Sequence, residues 1–106
     1  MQHLLQHVVL VDLAVQEVNN MNLKDTVPFM TSADWKDRFI AEYNQLVIRM
    51  IKLEDSLNNP PQFMNDEIAK ALLMKQYDAM QSYKLRLEKR AVLAEIDLNP
   101  YHRSQL

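Results

Sequence analysis

Apolar residues recur along this chain at helical spacing in three blocks. In the first, Leu4, Val8, Val11, Val15 and Val18 alternate steps of four and three, one stripe of a helix over roughly residues 2–19. The β-branched run at residues 8–11 leaves a strand as the alternative. Leu5, Leu10, Leu13 and Ala14 break the alternation a strand requires and favour the helix. Asn19 and Asn20 supply a stop, and residues 20–31, which carry Pro28, read as a linker.

In the second block, Trp35, Phe39, Tyr43, Leu46, Met50, Leu53 and Leu57 fill one side of a helix, and Ile40, Val47 and Ile51 widen its apolar arc. Thr31 or Ser32 is the expected N-cap, with Thr31 and Asp34 spaced as a capping box. The helix is expected to run to about Leu57, where Asn58, Asn59, Pro60 and Pro61 form a double stop. The third block begins near Asn65 or Asp66 and continues to about Ile96, with Asn99–Pro100 closing it. Its apolar face is drawn through Ile68, Leu72, Leu73, Ala79, Met80 and Leu87. Gln76, Tyr83 and Arg90, spaced by sevens, fall within that face.

These blocks predict an all-α fold and a single helical domain over residues 1–106. Residues 1–29 form a short N-terminal helical extension, residues 31–96 a long antiparallel helical hairpin, and residues 97–106 a polar tail. A hairpin alone buries too little surface to be stable at this size. The arc on the second helix is also wider than one partner helix covers. The pattern therefore predicts a symmetric homo-oligomeric helical bundle.

Composition narrows the chemistry. The chain contains no glycine, so no Walker A, Rossmann or nucleophile-elbow motif can be written, and left-handed turns must fall to Asn or be avoided. Any phosphate must then be held by side chains or helix N-termini. With no cysteine there is neither a disulfide nor a thiolate metal site. A net charge of −2 provides no field for duplex nucleic acid. The apolar run at residues 8–11 is too short to span a membrane, and the first residues lack a basic leader region, so a cytoplasmic protein is expected. His3 and His7 stand four apart without the zincin glutamate or a third ligand, and His102 is isolated. The acids are scattered over helix surfaces. Neither a metal, a cofactor nor catalysis is expected.

A basic edge remains. Arg38, Gln45, Arg49 and Lys52 fall within an arc of roughly 60° beside the stripe that carries Trp35 and Tyr43. Guanidinium groups grip phosphate with paired donors, and aromatic faces stack on bases. The competing reading is a snorkelling, salt-bridged rim, which Glu42 fits as the i+4 partner of Arg38, and spacing alone favours it. The first turn of the second helix, with Trp35 and Arg38, is a place where the positive helix end would meet an anion. Tyr83 and Arg90 either fix helix register, with Asp34 or Glu42 neutralising the arginine, or line a ligand pocket.

Two stretches carry a resemblance. "DWKDRFIAEYNQLVIRMIKL", followed by "LLMKQYDAMQSYKLRLEKR" with Leu73, Gln76, Met80, Tyr83, Leu87 and Arg90 at the spacing Leu–x–x–Gln–x–x–x–Met–x–x–Tyr–x–x–x–Leu–x–x–Arg, resembles a family of small bacteriophage proteins over roughly residues 33–92. The best-understood members of that family are the all-helical anti-CBASS sponges, related to a crAss-like phage protein. The resemblance implies a homo-oligomer, a hexamer or another even-numbered assembly, that sequesters cyclic dinucleotides or trinucleotides in the host cytoplasm without catalysis and so blocks anti-phage signalling. It implies an aromatic residue that stacks on a base and a basic residue from a neighbouring protomer that holds phosphate. Transferred to this chain, these are Trp35 and Arg49, with Lys52 nearby. Arg38, Tyr43, Tyr83 and Arg90 complete the candidate ligand-binding set. An aromatic that often follows the basic–Leu turn in such proteins is Ser56 here, which alters a pocket wall or a core contact. The alternative function is a helical oligomeric adaptor or inhibitor that binds a host protein, for which the broad apolar arc is the reason.

Overall fold

The structure, a computed structural model, describes residues 21–61 and 66–100. The expected first helix, His3, His7, Asn65 and the end of the tail with His102 lie outside the described residues. All regular elements among the described residues are helical.

The segment expected to be a linker is ordered into turns. A 3₁₀ turn, Leu23–Thr26, runs directly into a single α-turn, α1, Val27–Met30. The backbone N–H of Asn22 donates to Asp25 Oδ2 at 2.9 Å, half of a capping box that starts the first turn. Pro28 sits at the start of α1, where its missing N–H is not needed. Thr26 is buried, and its Oγ1 accepts from Gln45 Nε2 at 2.9 Å, which ties the turns to the next helix. A tertiary contact thus orders a segment whose local sequence reads as a connection.

The second element, α2, spans Trp35–Asn58, and its N-cap is Asp34 rather than Thr31 or Ser32. Asp34 Oδ1 accepts from the N–H of Lys36 at 2.9 Å. The expected cap residues are engaged elsewhere. Thr31 Oγ1 donates to the Val27 carbonyl at 2.8 Å, and Ser32 Oγ donates to Asp37 Oδ2 at 2.6 Å. The last element, α3, spans Glu67–Ala94, capped by Asp66, whose Oδ1 accepts from Ile68 N–H at 3.0 Å. It stops before the expected Ile96, because Glu95 adopts a left-handed conformation with φ of 56°. The N–H of Ile96 then donates to the Ala91 carbonyl at 2.9 Å, closing the helix end. A glutamate thus fills a turn position that was expected to fall to Asn or be avoided. The left-handed conformation costs a residue with a Cβ about 1–2 kcal/mol. In return the chain reverses, so that Ile96 and Leu98 pack on the core.

That core consists of Phe39, Leu46 and Met50 of α2 with Leu87 and Ala91 of α3, and Tyr43, Tyr77 and Met80 pack at its edge. Contacts between the two helices join Phe39 with Arg90, Glu42 with Tyr83, Tyr43 with Glu88, and Glu54 with Tyr77. A second side of α2 is also buried, at Ile40, Ala41, Asn44, Val47 and Ile48. Asn44 Nδ2 donates to the carbonyls of Ile40 and Leu98, at 2.8 and 2.9 Å, and pins the reversed segment to α2.

One expectation about α3 is overturned. Ile68, Leu72 and Ala79 are exposed rather than packed against α2. Ile68 lies about 100° round the helix from Leu87, so one face cannot hold both. Gln76, Tyr83 and Arg90 are likewise exposed, and no buried polar seam forms among the described residues.

Candidate ligand-binding face

Trp35, Glu42 and Arg49 are separated by seven residues each. Seven residues are close to two helical turns, so the three side chains follow one line down the exposed side of α2, about 10 Å apart along the axis. Trp35 is 51% exposed despite its size. Its ring meets Phe39 edge-on, with centroids 6.5 Å apart and planes at 88°. On Phe39 lies the guanidinium of Arg90, 4.8 Å from the ring centroid. The Tyr83 hydroxyl donates to the carboxylate of Glu42. Trp35, Phe39, Arg90, Tyr83 and Glu42 therefore form one aromatic and charged cluster, built from the start of α2 and the end of α3.

Other members of the candidate set lie elsewhere. Arg49 and Lys52 are exposed, about 21 and 25 Å along the helix axis from Trp35. Neither makes a hydrogen bond or an ion pair among the described residues. Arg38 Nη1 donates to the Ser32 carbonyl at 2.7 Å, and Gln45 holds Thr26 and Met30, so half of the basic edge fastens residues 26–32 to α2. The remaining half, Arg49 and Lys52, is available to an anion.

Two local expectations change. The positive end of α2 does not await an anion, because Asp34 caps it and Asp37 occupies its first turn. The guanidinium of Arg90 lies over the Phe39 ring, and Glu42 takes the Tyr83 hydroxyl. Phe39 and Glu42 were not among the sequence candidates. Their signals were present: Phe39 is the i+4 neighbour of Trp35, and Glu42 lies midway between Trp35 and Arg49.

Tyr43 is half-buried against α3, and its hydroxyl donates to Glu88 Oε2 at 2.9 Å. Lys84 approaches the same oxygen at 3.9 Å. Burial, and then the Glu88 carboxylate as hydrogen-bond acceptor and as charge, push the Tyr43 phenol well above its ordinary range. Tyr77 and Tyr83 are raised as well, Tyr77 chiefly by burial and Tyr83 chiefly by its bond to Glu42, with Arg90 opposing. A phenol with a raised folded pKa keeps its proton after the unfolded chain has begun to lose it. Its contribution is therefore intact below the ordinary value of 10.0 and declines as pH rises beyond it toward the folded value. Urea midpoints should hold steady up to about pH 9.5 and fall above about pH 10. Tyr43→Phe should flatten that fall, and an equally steep fall in the variant would remove Tyr43 as its source.

Among the described residues, no group of His, Asp or Glu is arranged to hold a metal ion. None of the described helices is long and apolar enough to cross a membrane. A family model described as Sequestin matches residues 33–93, a stretch that includes α2, all of α3 except Ala94, and all seven candidate residues. No curated protein and no solved structure matches the chain.

Proposed function

The chain belongs to the Sequestin family, and we propose on that premise that it sequesters cyclic oligonucleotide second messengers in the host cytoplasm and so blocks anti-phage signalling. Membership implies a sequestering protein that binds small signalling molecules. The finer reading rests on one observation above all. Within the matched segment, an exposed tryptophan and an arginine with no hydrogen bond or ion pair among the described residues lie on one line of one helix.

A cyclic dinucleotide has two stackable bases and two phosphates. Trp35 offers a ring to a base, and Arg49, aided by Lys52, offers paired donors to a phosphate. About 21 Å separates these groups within one chain, farther than one compact messenger reaches. The proposed site therefore takes Trp35 from one chain and Arg49 from another, as a closed symmetric assembly of antiparallel hairpins would present them. Arg90 and Tyr83 extend the aromatic end, and Tyr43 and Arg38 support it from behind by holding α3 and residues 26–32. Exposed Ile68, Leu72, Val92 and Leu93 on α3 provide apolar surface for self-association.

Calorimetry against cyclic di- and trinucleotides tests the reading. Nanomolar binding, about −12 kcal/mol, is expected for at least one of them. Micromolar or weaker binding across the panel would overturn it. Native mass spectrometry of the same samples should show an even-numbered oligomer retaining intact messenger.

A further inference from the structure

The line of side chains on α2 is not uniformly suited to an anion. A carboxylate, Glu42, stands between the stacking ring of Trp35 and the guanidinium of Arg49. It is exposed, and the Tyr83 hydroxyl holds it from α3. One hydroxyl uses one of about four acceptor positions on a carboxylate, so others remain open toward solvent. No lysine or arginine among the described residues forms an ion pair with it, although Arg38 is spaced to do so. For a ligand recognised only by its phosphates, a negative charge at this place is unfavourable. It becomes favourable when the ligand presents neutral N–H or O–H donors beside its stacked ring.

Building on the reading above, we infer that Glu42 is the specificity-determining residue of the site. It accepts hydrogen bonds from donors carried next to the base on Trp35, and Tyr83 is the residue that positions it. Two chemistries supply such donors. The Watson–Crick edge of guanine has an N1–H and an amino group side by side, a match for the two oxygens of one carboxylate. A ribose hydroxyl is the other source. Adenine presents its amino group beside the N1 lone pair, which a carboxylate repels. A site built around an acceptor discriminates strongly against an analogue lacking the donor, because the acceptor then loses water and gains nothing.

The test compares wild type with Glu42→Gln, which keeps the side-chain shape and removes the charge. Four cyclic dinucleotides are titrated calorimetrically: one with guanine, one with hypoxanthine (which lacks the amino group), one with adenine, and the 2′-deoxy form of the tightest binder. Wild type should favour the ligand with the full donor set over the analogue that lacks one of those donors by at least about tenfold. A loss of affinity on going to hypoxanthine assigns the base edge, and a loss on going to the deoxy form assigns the sugar. In Glu42→Gln the ratio should shrink toward one, while the analogue lacking the donor binds more tightly than it does to wild type, since a repulsive charge is gone. A merely structural role would weaken all ligands alike. Tyr83→Phe should reduce the ratio partway. Equal ratios in wild type and Glu42→Gln overturn this inference and leave the sequestering site standing, whereas absence of binding to all four overturns both.

Discussion

Leu87→Ala should lower the free energy of unfolding by about 3 kcal/mol. Leu87 is 0% exposed and touches the core from both helices, with Phe39, Leu46 and Met50 on one side and Ala91 on its own helix. Truncation removes the transfer energy of the lost carbons and leaves a cavity that two long packed helices close only in part. For a domain of this size, whose whole stability is on the order of 5–15 kcal/mol, that is a large share. Leu72→Ala is the matched control: the same chemistry on the same helix, at a residue 63% exposed, should change stability by no more than about 0.5 kcal/mol in dilute solution. Urea denaturation of both variants at several protein concentrations checks the pair. Equal losses for the two would mean that the packed face of α3 is not the one through Leu87. A Leu72→Ala effect that grows with protein concentration would locate Leu72 at a contact between chains.

Arg49→Ala should weaken messenger binding by more than tenfold, about 1.4 kcal/mol or more, with the oligomer intact. Hydrogen bonds to charged groups contribute about 1.5–3 kcal/mol, and a symmetric messenger on a two-fold axis would lose two such contacts. The prediction is clean because Arg49 has no protein partner among the described residues. Its removal leaves no orphaned carboxylate or carbonyl, so stability should not move. Arg38→Ala is different, since Arg38 fastens the Ser32 carbonyl and its loss loosens residues 26–32. Arg49→Lys should fall between wild type and alanine, keeping the charge and losing the planar fork. Calorimetry gives the affinities and native mass spectrometry the assembly state. Undiminished binding by Arg49→Ala would remove this residue from the site.

The helix ends that the chain advertised by simple local chemistry are where they were expected. Asp66 starts α3, and Asn58 ends α2 ahead of two prolines. Most of the core was legible for the same reason: Phe39, Leu46, Met50 and Leu87 recur at helical steps on helices long enough for periodicity to be read. What was not legible depended on competition. Thr31 and Ser32 are good caps, but each found an acceptor of its own, in the Val27 carbonyl and Asp37, and Asp34 was left to cap α2. Residues 23–30 carry only short local signals, the Asn22–Asp25 box and Pro28, and Gln45, nineteen positions beyond Thr26, ties them to α2. On α3 the apolar residues outnumber one face, so periodicity could not say whether Ile68 or Leu87 faces α2.

The candidate site was legible in its parts more than in its grouping. The spaced motif from Leu73 to Arg90 threads two neighbouring lines of α3. Leu73, Met80 and Leu87 are partly or fully buried, while Gln76, Tyr83 and Arg90 are exposed, the last two reaching Glu42 and Phe39 from the rim. A one-dimensional pattern merges these lines, and only the packing of α2 separates them. The roles of Phe39 and Glu42 arise from contacts with α3, Arg90 on one ring and Tyr83 on one carboxylate.

If the proposed site takes Trp35 from one chain and Arg49 from another, the distance between them along α2 would also govern dose. A messenger gripped by two chains would bind the assembly and not the lone subunit, so occupancy and assembly would be linked, each raising the other by mass action. Capacity then rises more steeply than in proportion to the amount of protein made, until subunits are plentiful. Below that point a messenger released by the host would itself recruit the second chain, so that the signal promotes its own capture.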